Sequence, residues 1–159
     1  MAKERVYVET SVISDLAARP ASKPLPRHRQ LVTAEWWARR SRWECFLTAT
    51  VVAEISRGDP EAAVRRREIA RNLVEVPVPP EAEALADLLL ARGLVPRAAL
   101  TDAFHLADAA ATRADYLLTW NQKHLDNFDL RFRIEELIRG WGLTPAKVIT
   151  PTRLLEEVT

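Results

Sequence analysis

A three-layer α/β/α sandwich with a central, short-stranded and mainly parallel sheet is the fold class that this sequence predicts. Short apolar, β-prone runs alternate along the chain with longer segments of helical periodicity. No hairpin signal joins two of these runs, so we expect neighbouring strands to be parallel and covered by helices on both faces. The length of 159 residues suits one domain with a continuous core. We therefore expect a single domain over residues 1–159.

Caps and chain breakers delimit the predicted elements of the first half. Pro20, Pro24 and Pro26 predict an extended linker. Thr50 and Asp59 are residue types that cap helix N-termini. The predicted strands are 6–8 and 44–49, and the predicted helices are 10–18, 27–42, 51–57 and 60–71. In the helix over 27–42, the spacing of a buried face is shared by Leu31, Ala34, Trp37 and Ala38.

The second half of the chain continues the alternation. Thr101 predicts the N-cap of an alanine-rich helix, and Asp126 and Asp129 predict caps of the helical segments that follow the fourth strand. Thr150 and Pro151 predict the start of the last helix. The predicted strands are 73–78, 115–119 and 147–149, and the predicted helical segments are 81–92, 101–113, 123–140 and a terminal helix from 151.

Composition limits the class of protein. The formal net charge of +1 does not by itself indicate a nucleic-acid binder. Nearly all basic residues are Arg, a bias that suits bidentate phosphate contacts and equally follows from genome composition. The single cysteine, Cys45, excludes a disulfide framework and a cysteine-based zinc site, and its apolar neighbours predict a buried thiol. No segment has the ~20 apolar residues of a membrane span and no signal-peptide core is present, so we expect a cytoplasmic protein.

Four widely spaced polar residues are candidates for a functional site. Glu9 directly follows the first strand, and Glu54 lies about one turn inside the helix after the second strand. Asp102 lies in the first turn of the alanine-rich helix, and Asn121 follows the strand over 115–119. The carboxyl ends of parallel strands share one edge of the sheet with the N-termini of the neighbouring helices. We therefore expect the four side chains to converge at that edge as catalytic residues.

Three carboxylates at one point repel one another unless a cation lies between them. Mg²⁺ and Mn²⁺ prefer oxygen ligands, so Glu9, Glu54 and Asp102 are the predicted metal ligands. Structural explanations also exist, because Glu54 flanks the apolar face of its helix and the helix dipole favours Asp102. His105, one turn after Asp102, is either a packing or supporting residue or a direct participant. Asp115 begins its strand at the opposite edge and is left out.

Four short motifs follow one another in a recognisable order along nearly the whole chain. They are VYVETS at 6–11, VAEI at 52–55, TDAFHLA at 101–107 and ADYLLTWN at 114–121. In these motifs the sequence resembles the PIN-domain ribonucleases, and among them the VapC-type toxins of toxin–antitoxin pairs. The resemblance implies a compact α/β/α nuclease that uses Mg²⁺ or Mn²⁺ to cut RNA. It also implies a homodimer or higher homo-oligomer and inhibition by a small antitoxin protein.

The resemblance carries expectations for single residues. Ser11 and Thr119 match hydroxyl positions that support cofactor binding by orienting ligands or water. Glu9 and Asn121 both stand where the family often has Asp, and a site with three carboxylates is sufficient for one metal. These two departures motivate an alternative, a catalytically degenerate PIN fold that binds RNA or protein. A different metal-dependent phosphohydrolase on a similar sheet is a third hypothesis.

Basic and aromatic residues cluster at 36–43 and 65–67. Such surfaces suit RNA, through phosphate contacts and base stacking. The same pattern fits a solvated basic helix face whose tryptophans anchor the core. It also fits a surface for an antitoxin helix or a second protomer, and the sequence leaves these alternatives open.

Overall fold

Five parallel strands form one sheet in this computed structural model, which describes residues 2–122 and 127–158. The strands are β1 (Arg5–Val8), β2 (Glu44–Leu47), β3 (Val74–Glu75), β4 (Tyr116–Leu118) and β5 (Lys147–Ile149). Their order is β3-β2-β1-β4-β5, and each of the four pairings is parallel. With helices flanking the sheet, the predicted α/β fold class is confirmed.

Eight helices accompany the strands in the described part of the chain. They are α1 (Thr10–Ala17), α2 (Pro24–Ala38), α3 (Ala49–Ile55), α4 (Pro60–Ala70), α5 (Glu81–Ala91), α6 (Leu100–Ala111), α7 (Phe128–Gly140) and α8 (Pro151–Glu156). Short 3₁₀ turns occupy Arg40–Arg42 and Arg97–Ala99. Within residues 2–122 and 127–158, the structure contains no helix with the length and apolar character of a membrane span.

The core has two clusters of buried side chains, and α6 contributes to both. One cluster covers the sheet and includes Trp36 and Phe46, whereas the other lies between α5, α6 and α7. The many small alanines of α6 let neighbouring helices approach it closely, so it is buried on nearly all sides. A helix held in this way fixes the backbone position of Asp102 in its first turn.

The start of α2 and its buried face differ from the sequence prediction. Pro24 and Pro26 belong to the first turn of the helix rather than to a linker, because the first-turn N–H groups have no helical acceptor. Leu31 is 53% exposed, and Thr33 and Trp36 are the buried residues instead. The predicted face was wrong because two adjacent tryptophans allow two registers, and packing on α1 and the sheet selects the one that buries Trp36.

Two predicted helix caps are also wrong. Thr48, not Thr50, precedes α3, and Thr50 lies inside the helix with its hydroxyl bonded to Asp108. Ala99, not Thr101, is the N-cap of α6, because the preceding 3₁₀ turn continues directly into the helix. Local capping preference was overridden in both cases by tertiary contacts.

Caps near the end of the chain are mixed in outcome. Asn127 caps α7 by accepting a hydrogen bond from the Leu130 N–H at 3.1 Å, and Asp129 lies in the first turn. The predicted cap at Asp126 and the helical segment over 123–126 lie outside the described residues. The caps predicted at Asp59 and Thr150 are confirmed by their side-chain hydrogen bonds.

Candidate functional site

The four candidate residues come from four separate segments at one edge of the sheet. Glu9 directly follows β1, and its backbone N–H donates to the Leu118 carbonyl of β4 at 3.0 Å. Asn121 lies three residues beyond the end of β4. Glu54 lies in the last turn of α3, and Asp102 lies in the first turn of α6. Parallel pairing of β1 with β4 therefore brings Glu9 and Asn121 to the same edge.

The Glu9 carboxylate is held by three donors. Both of its oxygens lie 3.1 Å from the Ser11 N–H, so the side chain caps α1. The hydroxyls of Ser11 and Thr119 each donate to Oε2 at 2.5 Å. The longer side chain of glutamate lets the carboxylate fold back onto its own helix and still reach Thr119. These donors hold the carboxylate of Glu9, which is only 8% exposed, in one orientation.

Glu54 is paired with a buried histidine. His105 Nε2 lies 3.0 Å from Glu54 Oε1, and the histidine side chain is only 3% exposed. Burial opposes protonation of His105, but the hydrogen bond to Glu54 and the charges of Glu9, Glu54 and Asp102 outweigh it and raise the His105 pKa. Burial likewise opposes ionisation of Glu54, but the His105 hydrogen bond outweighs it and lowers the Glu54 pKa. Both shifts favour the charged forms, so the two side chains form an ion pair over a wider pH range than they would if isolated.

A buried chain of hydroxyls supports the other ring nitrogen of His105. The Tyr7 hydroxyl lies 2.8 Å from His105 Nδ1 and 3.0 Å from Thr48 Oγ1. Thr48 and Thr50 in turn donate to Asp108 Oδ2, at 3.4 Å and 2.6 Å. Burial raises the pKa of Asp108 and that of Tyr7. The sequence left the role of His105 open, because no local signal indicates a chain of hydroxyls that links α6 with β1 and the start of α3.

Asp102 and Asn121 lie on the other side of a small cavity. The Asn121 amide nitrogen lies 3.5 Å from Asp102 Oδ2, which leaves the amide oxygen available. The cavity has a volume of about 30 Å³ and is bordered by Glu9, Asp102, His105 and Asn121. A space of this size admits one water molecule or one small ion.

The carboxylate oxygens beside this cavity suit a divalent cation. Within the described residues, one ligand atom each of Glu9, Glu54 and His105 lies within 4.8 Å of the others. The buried Thr10 hydroxyl lies beside Glu54, where burial raises the carboxyl pKa and interaction with His105 and Thr10 lowers it. Asp102 borders the cavity together with Glu9, but it is not one of the three residues whose ligand atoms lie within 4.8 Å of one another. The predicted ligand set of Glu9, Glu54 and Asp102 remains a prediction, and His105 is the residue that the sequence left open.

Comparison with solved structures identifies the architecture. VapC20 of Mycobacterium tuberculosis, a toxin that cleaves the sarcin–ricin loop, is 18% identical and matches with a TM-score of 0.58 over 76% of this chain and 93% of its own. VapBC2 of Rickettsia felis, solved with a DNA fragment from its promoter, is 13% identical and matches with a TM-score of 0.58 over 92% of this chain and 98% of that chain. The chain has the PIN-domain fold of VapC toxins. No family model and no curated protein sequence matches it.

The cleft that opens from the acidic residues of this PIN fold has a volume of about 520 Å³. Glu54, Asp102 and Asn121 lie on one side, and Arg29 and Trp120 contribute to the wall. The sequence alone does not predict a role for Arg29, because the cleft forms between segments that are far apart in the chain. Trp120 was noted only as part of the motif at 114–121.

The predicted basic and aromatic surfaces have mostly structural roles in this fold. Trp36 and Trp43 are buried, with exposures of 0% and 4%. The ring of Trp37 is covered by the Arg40 guanidinium, 3.9 Å from its centroid. These contacts favour the interpretation in which the tryptophans of this segment anchor the core.

The arginine cluster at 65–67 also ties helices together. Arg65 donates to the Ala17 carbonyl at the end of α1, and Arg66 donates to the carbonyls of Ile55 and Arg57 after α3. Helix C-termini present unpaired carbonyls, so these contacts are favourable caps. Two of the three guanidiniums are therefore engaged within the fold.

Proposed function

We propose that this protein is a metal-dependent endoribonuclease, the toxin of a toxin–antitoxin pair that acts in the cytoplasm. The observation that carries the proposal is a group of acidic side chains at one edge of the sheet, in a chain with the fold of VapC toxins. Glu9 lies close to Glu54 and borders a small cavity together with Asp102. A nuclease needs a cluster of fixed carboxylates at the mouth of an open cleft, and both features are present. The donor oxygens suit Mg²⁺ or Mn²⁺.

Each residue has a distinct part in this proposal. Glu9, Glu54 and Asp102 hold the cation, and Ser11 and Thr119 orient Glu9. Asn121 holds Asp102 and offers its amide oxygen to the cation or to the substrate. A bound Mg²⁺ or Mn²⁺ polarises a phosphoryl oxygen and lowers the pKa of a coordinated water. His105 keeps Glu54 ionised and fixes its orientation.

The proposal is tested by incubating the purified protein with structured RNA in the presence of Mn²⁺ or Mg²⁺. Asp102→Asn should lose cleavage, because it removes a carboxylate at the cavity. Asp87→Asn is the matched control, since Asp87 is exposed on α5 and lies away from the cleft. Equal cleavage by wild type and Asp102→Asn, or by neither, contradicts the proposal.

A second candidate function is a degenerate PIN module that binds RNA or protein without catalysis. The ion pair between His105 and Glu54 favours it, because the chain itself supplies a positive charge that partly balances the carboxylates. Calorimetric titration with Mn²⁺ separates the two functions. Metal binding that Asp102→Asn abolishes supports the nuclease, and its absence in wild type supports the degenerate module.

We also propose a small antitoxin protein as partner and a homodimer or higher homo-oligomer. Apolar residues that remain exposed support a protein partner: Phe128 is 68% and Phe132 is 53% exposed beside a groove of about 510 Å³. Exposed aromatic residues of this kind are common in protein interfaces. Sedimentation of the purified chain tests self-association, and Phe128→Ser should weaken it if this groove is the interface.

A further inference from the structure

Arg29 lies in the wall of the cleft, and the metal chemistry gives it no role. It extends from α2 and borders the same space as Glu54 and Asp102. Among the described residues that line this cleft, it is the one basic side chain. Its side chain is 45% exposed, so the charge faces solvent in the cleft. The carboxylates of the cleft repel a polyanionic substrate, and a positive charge beside them offsets that repulsion.

One acidic and one aromatic neighbour hold the Arg29 guanidinium in place. Its Nε and Nη2 donate to the two oxygens of Asp15, at 2.7 Å and 2.8 Å. The guanidinium carbon lies 5.4 Å from the centroid of the Trp120 ring. Trp120 is itself fixed, because its indole N–H donates to Thr33 Oγ1 at 3.0 Å. Arg29 is therefore preorganised before any substrate arrives.

The anchoring leaves part of the guanidinium free to bind. Arg29 Nη1 makes no hydrogen bond with any residue in 2–122 or 127–158. Asp15 is only 10% exposed whereas Arg29 is 45% exposed, so the cleft presents the positive partner of the pair. The arrangement suits an oxyanion that approaches from the open side of the cleft.

We propose that Arg29 binds a backbone phosphate of the RNA, next to the phosphate at the carboxylate cluster, and that Asp15 is its positioning residue. This inference rests on the proposed nuclease function and deepens it. A phosphate contact carries no sequence information, so Arg29 contributes to affinity for every sequence. The ring face of Trp120 next to Arg29 is already covered, which assigns binding at this wall to the guanidinium rather than to base stacking.

The test compares wild type with Arg29→Gln, Arg29→Lys and Arg39→Gln. Arg29→Lys keeps a positive charge beside the buried Asp15 but cannot bind Asp15 and a phosphate with a planar fork. Arg39 ends α2, is exposed, pairs with Glu35 on the surface and does not line the cleft, so it is the matched control. Affinity for a short single-stranded RNA is measured by fluorescence anisotropy in EDTA over a range of salt concentrations. Mn²⁺ affinity, thermal stability and the KM and kcat for cleavage are measured in parallel.

Both Arg29 variants should bind RNA about tenfold more weakly, whatever its sequence. The negative slope of log affinity against log salt should become shallower by about 0.7 in Arg29→Gln, the value for one phosphate contact on a single strand. KM should rise with little change in kcat, and the Mn²⁺ affinity should stay at the wild-type value. Arg39→Gln should match wild type in KM and in affinity.

The outcomes separate the two proposals. If wild type cuts RNA and both Arg29 variants match Arg39→Gln in affinity, salt slope and KM, the Arg29 assignment is wrong and the nuclease stands. If wild type binds RNA without cutting it and Arg29→Gln makes the salt dependence of binding shallower, the nuclease proposal is wrong and the phosphate contact stands. Wild-type protein that neither binds nor cuts RNA overturns both.

Discussion

His105 Nε2 lies 3.0 Å from Glu54 Oε1, and this contact favours a positive charge on the histidine within the carboxylate cluster of this PIN fold. The histidine is almost fully buried, and its other ring nitrogen contacts the Tyr7 hydroxyl. A neutral imidazole has one donor, whereas the protonated ring has two and can serve both Glu54 and Tyr7. The ion pair therefore stabilises the cluster before any cation binds, and its loss should be measurable in the metal-free protein.

The first prediction concerns pH in the metal-free protein. The folded-state His105 pKa is raised above 6.5, so its contribution to stability is complete below 6.5 and is lost as pH rises through the folded value. The folded-state Glu54 pKa is lowered below 4.5, so its contribution is complete above 4.5 and is lost as pH falls through the folded value. Both contributions are complete between pH 4.5 and 6.5. The wild-type melting temperature in EDTA should therefore decline on the alkaline side of this window.

His105→Gln is the comparison, because glutamine offers a donor to Glu54 but does not titrate. The melting temperature of this variant, measured by circular dichroism, should show a weaker decline above pH 6.5 than wild type. Parallel pH profiles for the two proteins would mean that His105 does not carry the alkaline dependence.

The second prediction concerns the buried Tyr7 hydroxyl. Tyr7→Phe keeps the ring in the core but leaves His105 Nδ1 and Thr48 Oγ1 without this partner. An unpaired buried polar group costs about 1–3 kcal/mol of the free energy of unfolding. Urea denaturation should show a loss of this size. Tyr116→Phe removes a hydroxyl that contacts Glu157 at the surface, and it should change the free energy of unfolding by less than about 0.5 kcal/mol. Equal losses in the two variants would contradict the buried role of Tyr7.

The third prediction concerns the reactivity of Cys45. Burial raises the pKa of its thiol to about 12, although Arg40 and Lys3 act in the opposite direction. The thiolate is the reactive species, so at pH 8 only about one molecule in ten thousand is ready to react. Alkylation by iodoacetamide at pH 8 should be far slower in the folded protein than in the same protein unfolded in guanidinium. Equal alkylation rates would show that the thiol is exposed and that folding does not raise its pKa.

The sequence was sufficient for the fold class and for the edge of the sheet at which Glu9 and Asn121 lie. Alternation of strands and helices and the residue types after β1 and β4 are local signals, and they place Glu9 and Asn121 at one edge without any knowledge of packing. The partnership of Glu54 with His105 was not predictable in the same way. It depends on the relative rotation of α3 and α6, which is decided by core packing and not by either helix alone. The same reason hid Arg29, whose anchors Asp15 and Trp120 lie in other elements.

The last prediction concerns the hydroxyl that orients Glu9. Thr119 Oγ1 donates to Glu9 Oε2 at 2.5 Å and accepts from the Asn121 N–H at 3.0 Å, so it links the two ends of the site. Thr119→Val keeps the shape of the side chain and removes the donor. Loss of a group that orients a metal ligand typically weakens metal binding about 10–100-fold. Calorimetric titration with Mn²⁺ should show a loss in this range, followed by a matching loss of RNA cleavage. Thr112→Val is the control, because among residues 2–122 and 127–158 that buried hydroxyl bonds only to carbonyls of its own helix, and its loss should leave Mn²⁺ affinity unchanged. If both variants bind Mn²⁺ as wild type does, Glu9 does not need Thr119 to hold the cation.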